Sequence, residues 1–228
     1  MKVLVTGAGG QLAHAVAARM QATHQVIALT RKELDLARYL DVMDVVREEQ
    51  PDAIINGAAY NDVDGAEDDP VAVMAVNALG VRALAQAAVA TDAIFVHFST
   101  DFIFDGDADQ PYTEQSIPNP QSSYAISKLI GEWFAAEAQH YILRVASLFG
   151  GGLLPFREGR RRGSTLDRIA DAILAGEEVR AFTDRTVTPS YIDDVAEATA
   201  VLLASAPPEG VYHCVGSGMG TWMDLATH

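Results

Sequence analysis

Basic residues and cysteine are scarce in this sequence, and both shortages exclude classes of protein. Lysine and arginine together number 16 against 31 aspartates and glutamates, so the formal net charge is −15. So acidic a surface repels phosphate groups, and we therefore expect neither a nucleic acid polymer nor an anionic membrane as a partner. The single cysteine, Cys214, cannot form an intrachain disulfide, which favours a cytoplasmic protein.

Signals for targeting, membrane insertion and metal binding are also missing. The apolar run that opens the chain ends at "TGAGGQ", which makes it too short for a signal peptide. No run approaches the roughly 20 apolar residues that a membrane helix needs, so we expect no membrane span. The six histidines show no close pairing, so we expect no metal site. His97 lies inside an apolar run and is interpreted as a core residue.

Apolar residues are plentiful and form short runs that alternate with helical patterns. Hydrophobic residues make up 49% of the 228, enough for one core or a large domain with a small appendage. Strands separated by helices predict an α/β fold, a Rossmann-type doubly wound parallel sheet, in which ligands bind at the carboxyl ends of the strands. The predicted strands are 2–6, 25–30, 52–57, 93–100 and 141–149, and the predicted helices are 11–22, 39–49, 70–90 and one that carries "YAISK" at 124–128.

Glycines follow the first predicted strand. Gly7, Gly9 and Gly10 stand where the strand turns into a helix that starts at Gln11. Glycine permits a positive φ and a close approach of a pyrophosphate, which the free N–H groups of the helix would bind. Ala13 replaces the third glycine of the usual pattern, and its methyl group still allows close helix packing. The alternative is a simple glycine turn without a ligand.

The end of the second predicted strand indicates which dinucleotide binds. An acidic residue there would bind the ribose 2′-hydroxyl of NAD, but this chain has Thr30 and Arg31. Arginine suits the 2′-phosphate of NADP, although a solvated arginine is the alternative. Asp35 is a weaker candidate for a contact with adenine.

Small and hydroxyl-bearing residues follow the third and fourth predicted strands. The small residues at 57–59 would let a flat ligand lie against the backbone. Ser99, Thr100 and Asp101 end the fourth strand, and Thr100 is the best placed of them for a carbonyl oxygen. A helix cap or turn is the alternative reading of a Ser-Thr-Asp sequence.

The "YAISK" segment places a tyrosine and a lysine on one face of a helix. Tyr124 and Lys128 are four residues apart, so the ammonium group would lie beside the phenol. A nearby cation favours the phenolate and lowers a tyrosine pKa from about 10. The spacing also arises by chance, so the pair gains meaning only from the surrounding motifs.

Several segments together carry a family resemblance. They include "VTGAGGQLA", "NGAAYNDVDGAE", "STDFIFDG", "PYTEQSIPNPQSSYAISKLIGE" and "DRTVTPSYIDDVAEA". The chain thereby resembles the dTDP-4-dehydrorhamnose reductase family of the extended short-chain dehydrogenase/reductase superfamily. Departures are Ala125 where the family often has glycine, and Leu148 and Phe149 where it usually has aromatic residues. The chain also ends short of the usual length, so we expect a small, shortened substrate-binding portion.

The resemblance implies an activity and a role for each of the main candidate residues. The expected reaction is the NADPH-dependent reduction of the C4 ketone of dTDP-4-dehydro-L-rhamnose to dTDP-L-rhamnose, with NADH left open as a cofactor. Tyr124 would supply the proton, Lys128 would lower its pKa and bind the nicotinamide ribose, and Thr100 would hold the substrate oxygen. Residues 1–150 would form the NAD(P)-binding Rossmann domain, and 151–228 the substrate-binding portion, interleaved with the last sheet elements.

The resemblance also assigns candidate site residues. For the cofactor they are Gly7, Gly9, Gly10, Gln11, Leu12, Thr30, Arg31, Asp35, Leu36, Ala58, Ala59, Tyr60, Ser99, Tyr124 and Lys128. For the nucleotide-sugar substrate they are Thr100, Asp101, Phe102 and Arg185. The three arginines at 160–162 fit either a phosphate site or solvated charge.

Other functions stay open at this point. A nucleotide-sugar epimerase or dehydratase of the same superfamily would use the same motifs but return the hydride to its product. A regulatory subunit resembling the beta subunit of methionine adenosyltransferase would share the fold without the catalysis. A homodimer is also left open.

Overall fold

The computed structural model describes residues 1–150 and 164–227. In the first part, strands and helices alternate. They are β1 (Lys2–Thr6), α1 (Gln11–Gln21), β2 (Gln25–Leu29), α2 (Tyr39–Glu49), β3 (Ala53–Asn56), α3 (Gly65–Asp68), α4 (Pro70–Met74), a π-helical segment (Ala75–Gly80), α5 (Val81–Thr91), β4 (Ile94–Thr100), α6 (Ser123–Ala135), β5 (His140–Val145) and β6 (Leu148–Phe149). The second part contains α7 (Thr165–Leu174), β7 (Thr186–Val187), β8 (Ser190–Tyr191), α8 (Ile192–Ser205), β9 (Gly210–His213), β10 (Gly220–Thr221) and α9 (Trp222–Thr227).

Six strands form one parallel sheet in the order β2-β1-β3-β4-β5-β9. The strand order reverses between β1 and β3, as a doubly wound sheet requires. The predicted fold class is therefore confirmed. The sixth strand, β9, comes from the second part of the chain, so residues beyond 150 complete the sheet.

Alternating side chains of the strands build two separate cores. Val3 and Val5 face the layer of α1 and α8, whereas Leu4 between them faces the layer of α2 and α5. Ile55 and Ile54 divide in the same way on β3. Because both faces are covered, these strands are apolar at almost every position instead of alternating with polar residues.

The fifth predicted strand, 141–149, is wrong in its second half. The main sheet keeps only β5, and β6 pairs instead with β8 in a separate two-stranded sheet. The separation coincides with a contact from Ser190, distant in the sequence, whose hydroxyl accepts a hydrogen bond from the Ala146 N–H at 3.0 Å. The Ser190 N–H in turn donates to the Ser147 carbonyl, so the chain after β5 bonds to residue 190 instead of continuing in the main sheet.

The predicted helix at 70–90 exists, but it is interrupted in the middle. Six residues of π-helix separate α4 from α5, and such bulges occur frequently at functional sites. The segment Pro70–Thr91 is long and apolar enough to cross a membrane by length and composition, contrary to our expectation that no run approaches that length. Because 56% of the most apolar 18-residue stretch of this segment is buried inside the protein, its apolar residues belong to the core.

Candidate active site

The turn after β1 has a geometry that only glycine fits. Gly7 has a φ of +71°, and a Cβ at that position would lie 2.5 Å from the backbone nitrogen of Ala58. The Gly10 N–H donates to the Gly7 carbonyl at 2.8 Å and closes the turn, and α1 starts at the next residue, Gln11. The loops after β1 and β3 therefore lie in close contact beside the N-terminus of a long helix, which is a favourable place for an anion.

Ala13 is accommodated by a glycine on the neighbouring strand end. A Cβ at Gly57 would lie 2.7 Å from the Cβ of Ala13, so the two positions tolerate only one methyl group between them. The close packing expected at Ala13 is therefore observed. Leu12 is buried in the core, which leaves its backbone for any ligand contact.

The loop after β2 brings the predicted Arg31 and Asp35 together. The Arg31 side chain is 80% exposed, and its Nε lies 3.5 Å from an Asp35 carboxylate oxygen. Glu33, which was not predicted, accepts hydrogen bonds from the Thr30 N–H at 2.7 Å and the Thr30 hydroxyl at 2.8 Å. These two bonds, first the one from the backbone, lower the pKa of Glu33. Glu33 therefore places a carboxylate near the end of β2, three residues after Thr30, the position where an acidic residue would bind NAD.

The remaining predicted residues of the cofactor side occupy different environments. Leu36 is buried against Gly80 of the π-helical segment, so its side chain belongs to the core. Ala59 is exposed, and Ala58 and Tyr60 are partly buried. The Tyr60 backbone is held at both ends by Asn77, which accepts from its N–H at 2.8 Å and donates to its carbonyl at 3.0 Å.

Thr100, Asp101, Phe102 and Tyr124 meet at the carboxyl end of β4. The Thr100 hydroxyl lies 3.1 Å from an Asp101 carboxylate oxygen and accepts from the Phe102 N–H at 3.2 Å. The Phe102 ring, 48% exposed, makes an edge contact with the Tyr124 ring at 6.0 Å between centroids. Burial raises the pKa of Asp101, and its hydrogen bond to Thr100 opposes that shift.

Tyr124 holds its proton strongly. The pKa of Tyr124 is raised to about 12, chiefly by burial; the hydrogen bond with Thr100 opposes this shift and the Asp101 carboxylate adds to it. In this structure the Lys128 ammonium does not offset the raised pKa of Tyr124, and its effect on the phenol during the reaction stays a prediction. The phenol is therefore a protonated group at neutral pH.

The ammonium group of Lys128 points to the sheet. Its nitrogen donates to the Phe98 carbonyl at 2.5 Å, and the residue is 3% exposed. Burial lowers the pKa of Lys128 to about 8, while the Glu132 carboxylate one turn later raises it. In this orientation the ammonium group is bonded to the sheet, although Lys128 lies on α6 together with Tyr124.

A buried polar chain beneath the site was missed by the sequence analysis. The Thr6 hydroxyl donates to Asn56 at 2.7 Å, and the Asn56 amide nitrogen lies 3.0 Å from Nδ1 of His97. Burial, and after it the Lys128 ammonium, lowers the pKa of His97 well below its usual value. His97 is thus a buried neutral residue, as expected, but the sequence also predicted a histidine with satisfied hydrogen bonds, and only its Nδ1 has a partner among the described residues. Within the described part of the chain, Ser99 Oγ and His97 Nε2 have no hydrogen-bond partner.

The polar loop between β4 and α6 is organised around Asp105. Its carboxylate accepts hydrogen bonds from the Tyr112 hydroxyl at 2.5 Å, the Asn119 amide at 2.9 Å and the Asp107 N–H at 3.2 Å. These bonds, first the one from Tyr112, lower the Asp105 pKa to about 2. Glu114 accepts from the His213 N–H of β9 at 3.0 Å. The loop is therefore tied both to itself and to the sheet.

Arg185 stacks on an aromatic ring in the second part of the chain. It is exposed, and its guanidinium carbon lies 4.4 Å above the Phe182 ring. Among the described residues, no hydrogen bond, ion pair or ring contact joins Arg185 to Thr100, Asp101 or Tyr124. The arginines at 160–162 lie outside the described residues. Within residues 1–150 and 164–227, no group of three histidine, cysteine or acidic side chains could hold a metal ion.

A parallel sheet with a glycine turn after β1, and hydroxyl groups gathered at the end of β4, defines a Rossmann-type α/β protein of the kind that binds dinucleotides. A sequence profile of the RmlD substrate binding domain matches residues 1–228. The chain belongs to the dTDP-4-dehydrorhamnose reductase family, as the resemblance in its motifs indicated.

Individual relatives cover nearly the whole chain. A dTDP-4-dehydrorhamnose reductase from Burkholderia thailandensis is 35% identical over 241 residues, which span 99% of this chain and 76% of the relative. The crystal structure of a dTDP-4-dehydrorhamnose reductase from Clostridium acetobutylicum superimposes with a TM-score of 0.90 at 32% identity, over 100% of this chain and 78% of that one. The corresponding reductase from Bacillus anthracis, in complex with NADP, gives a TM-score of 0.90 at 29% identity, over 99% and 78% of the two chains.

Proposed function

We propose that this chain reduces the C4 ketone of dTDP-4-dehydro-L-rhamnose to dTDP-L-rhamnose, with NADPH as the hydride donor. Relatives of 33–35% identity carry the name dTDP-4-dehydrorhamnose reductase, and one related structure contains NADP. The observation that carries the proposal is the meeting of Thr100 and Tyr124 at the carboxyl end of β4. Ligands of parallel sheets bind at this edge.

The residues around the turn after β1 fit a dinucleotide. A Cβ at Gly7 would clash with the Ala58 backbone, whereas a Cβ at Gly9 would meet no atom within 4 Å, so the open space for close approach by a pyrophosphate lies at Gly9. The buried Ser99 hydroxyl has no partner within the described residues, and a buried polar group without a partner is costly unless a ligand satisfies it. What a bound nicotinamide supplies is a hydride for the ketone carbon.

Tyr124 is the proposed proton donor. A ketone that receives a hydride on carbon needs a proton on oxygen, and the raised pKa of Tyr124 keeps the phenol protonated at neutral pH. Thr100 is the proposed partner that holds the substrate oxygen beside this phenol. Asp101 and Phe102 follow Thr100 directly and are proposed to contact the sugar.

Lys128 is proposed to bind the cofactor ribose and to supply a positive charge near Tyr124. In the structure it donates to the Phe98 carbonyl, the residue just before the proposed Ser99 contact. Its lowered pKa, about 8, leaves it mainly protonated at neutral pH. An ammonium group that turned from Phe98 toward Tyr124 would favour the phenolate and ease proton release.

The other proposed contacts follow from the loops. Arg31, exposed at the end of β2, is proposed to bind the 2′-phosphate of NADPH, with NADH as the less favoured cofactor. Gly9, Gly10, Gln11, Leu12, Thr30, Asp35, Leu36, Ala58, Ala59 and Tyr60 complete the proposed cofactor site. Residues 151–228, with Arg185, are proposed as the substrate-binding portion, interleaved with the last sheet elements, of which β9 is one. We also propose a cytoplasmic location, and a homodimer stays a prediction.

The proposal is tested by following NADPH absorbance at 340 nm with freshly made dTDP-4-dehydro-L-rhamnose. We expect substrate-dependent oxidation of NADPH and formation of one dTDP-L-rhamnose for each NADPH consumed. Conversion of a nucleotide sugar without net NADPH consumption would instead identify an epimerase or dehydratase. Absence of any conversion, together with a stoichiometric enzyme partner in a pull-down, would identify a regulatory subunit.

A further inference from the structure

A carboxylate from another helix holds the first residue of α6. Glu67 of α3 accepts a hydrogen bond from the Ser123 N–H at 2.7 Å and another from the Ser123 hydroxyl at 2.9 Å. Ser123 directly precedes Tyr124. The Ser122 hydroxyl, on the other side, accepts from the Ala125 N–H at 3.2 Å and caps the same turn. The turn that carries Tyr124 is therefore fixed from outside as well as from within.

Glu67 belongs to the segment that follows β3. This segment begins with residues 58–60, which contribute to the proposed cofactor site. The same stretch of chain reaches α6 a second time, because Asn77 bonds both the Tyr60 backbone and the Ser127 hydroxyl, the latter at 3.0 Å. The two attachments to α6 lie on either side of Tyr124 in the sequence. The Glu67 attachment is the nearer one.

Two hydrogen bonds accepted by one carboxylate restrict both the position and the rotation of the residue that donates them. A single acceptor would leave Ser123 free to pivot, whereas Glu67 engages its backbone and its side chain together. The negative charge also lies at the N-terminus of a 13-residue helix, where the partial positive charge of the helix favours it. Because Glu67 itself is exposed, the bonds contribute little to global stability.

We propose that Glu67 is a positioning residue for the reduction. Its carboxylate fixes the first turn of α6 so that the phenol of Tyr124 stays against Thr100, and it connects that turn to the segment lining the cofactor site. This inference rests on the proposed function, since it assigns Glu67 a part in the proton transfer from Tyr124. Small displacements of a reacting group cost large factors in rate, so a loosened first turn lowers kcat before it lowers binding.

The test compares three variants with the wild type in steady-state kinetics, NADPH titration and thermal unfolding. Glu67→Ala removes both acceptors, and we expect kcat to fall about tenfold or more while NADPH affinity changes by less than about twofold. Glu67→Gln keeps one acceptor oxygen, so its kcat should lie between that of the wild type and that of Glu67→Ala. Asp68→Asn is the matched control, because it removes the neighbouring exposed charge and should behave as wild type.

A double-mutant cycle and a measurement independent of turnover complete the test. Ser123→Ala removes the hydroxyl bond, and the double variant with Glu67→Ala should be no slower than Glu67→Ala alone. Amide hydrogen exchange at residues 122–126 should be faster in Glu67→Ala than in Asp68→Asn. The exchange experiment applies even if the wild type shows no turnover, a result that would refute the proposed function alone.

Two results would overturn the role of Glu67. One is a Glu67→Ala variant whose kcat and hydrogen exchange match those of Asp68→Asn. The other is a parallel loss of kcat, NADPH affinity and melting temperature in Glu67→Ala, which would show a purely structural contact.

Discussion

The guanidinium group of Arg144 donates two hydrogen bonds, of 2.9 and 2.8 Å, to the carboxylate of Glu132 in the protein interior. The side chains are only 7% and 4% exposed. Glu132 lies one turn after Lys128 on α6, and Arg144 lies on β5, so the pair joins the proposed catalytic helix to the sheet. The Arg144 guanidinium also lies 5.3 Å from the centre of the Phe104 ring, in the loop that follows β4.

Loss of one partner of this pair should destabilise the protein strongly. Arg144→Met leaves the Glu132 carboxylate buried without its hydrogen-bonded partner, and we expect the free energy of unfolding to fall by about 3–5 kcal/mol. Urea denaturation measures the change. Arg19→Met is the matched control, because it breaks the exposed pair of Arg19 with Glu197 and should cost less than about 1 kcal/mol. Similar losses of unfolding free energy in the two variants would show that the interior pair stabilises the protein no more than the exposed pair does.

The buried ammonium group of Lys128 should give the protein a distinctive pH dependence. Its pKa is about 8 in the folded protein, below the ordinary value of 10.5, so between these values the unfolded chain binds more protons. Stability therefore rises with pH through this window, and the cost of burying the charge is fully present below pH 8. Lys128→Met lacks this cost at every pH.

The comparison of wild type with Lys128→Met isolates this effect. The variant should gain stability relative to wild type at pH 7, and this relative gain should shrink by on the order of 3 kcal/mol as the pH rises toward 10.5. Urea denaturation at several pH values checks it. Parallel stability curves for the two proteins between pH 8 and 10 would contradict the lowered pKa of Lys128.

Arg31 should discriminate between the two nicotinamide cofactors. Its side chain is 80% exposed at the end of β2, where the ribose of a bound dinucleotide is expected. Arg31→Ala should raise the KM for NADPH by about tenfold or more, since a charge-assisted contact to a phosphate is lost, and should change the KM for NADH little. Arg38→Ala, which removes another exposed arginine, is the control. Equal effects of Arg31→Ala on both cofactors would remove Arg31 from the 2′-phosphate.

The sequence predicted the sheet well because its signals are local. Both faces of the sheet are covered, so each strand is a continuous apolar run, and the turn after β1 requires the glycine found at Gly7. The extent of β5 was wrong because it depends on Ser190, more than 40 residues away in the chain. The interruption of the helix at 70–90 likewise coincides with contacts from distant residues, Asn77 to Tyr60 and Gly80 to Leu36.

The site could be predicted only as a set of residue types. The spacing of Tyr124 and Lys128 fixed their common helix, but the direction of the Lys128 side chain depends on the Phe98 carbonyl of another element. Glu67, Glu132 and Arg144 were missed because each depends on a partner in another element, 56 residues away for Glu67 and 12 residues away within the Glu132–Arg144 pair. The "GAE" and "LIGE" segments that contain the two glutamates were the signals that could have found them.

The central claim is that the Tyr124 phenol protonates the ketone oxygen, and replacing Tyr124 with phenylalanine tests it most directly. General acid catalysis contributes factors of about 10²–10⁴, so Tyr124→Phe should lose at least about a hundredfold in kcat with NADPH and dTDP-4-dehydro-L-rhamnose. Its NADPH affinity, measured by fluorescence titration, should match that of the wild type. A Tyr124→Phe enzyme that retains the wild-type kcat would contradict the account.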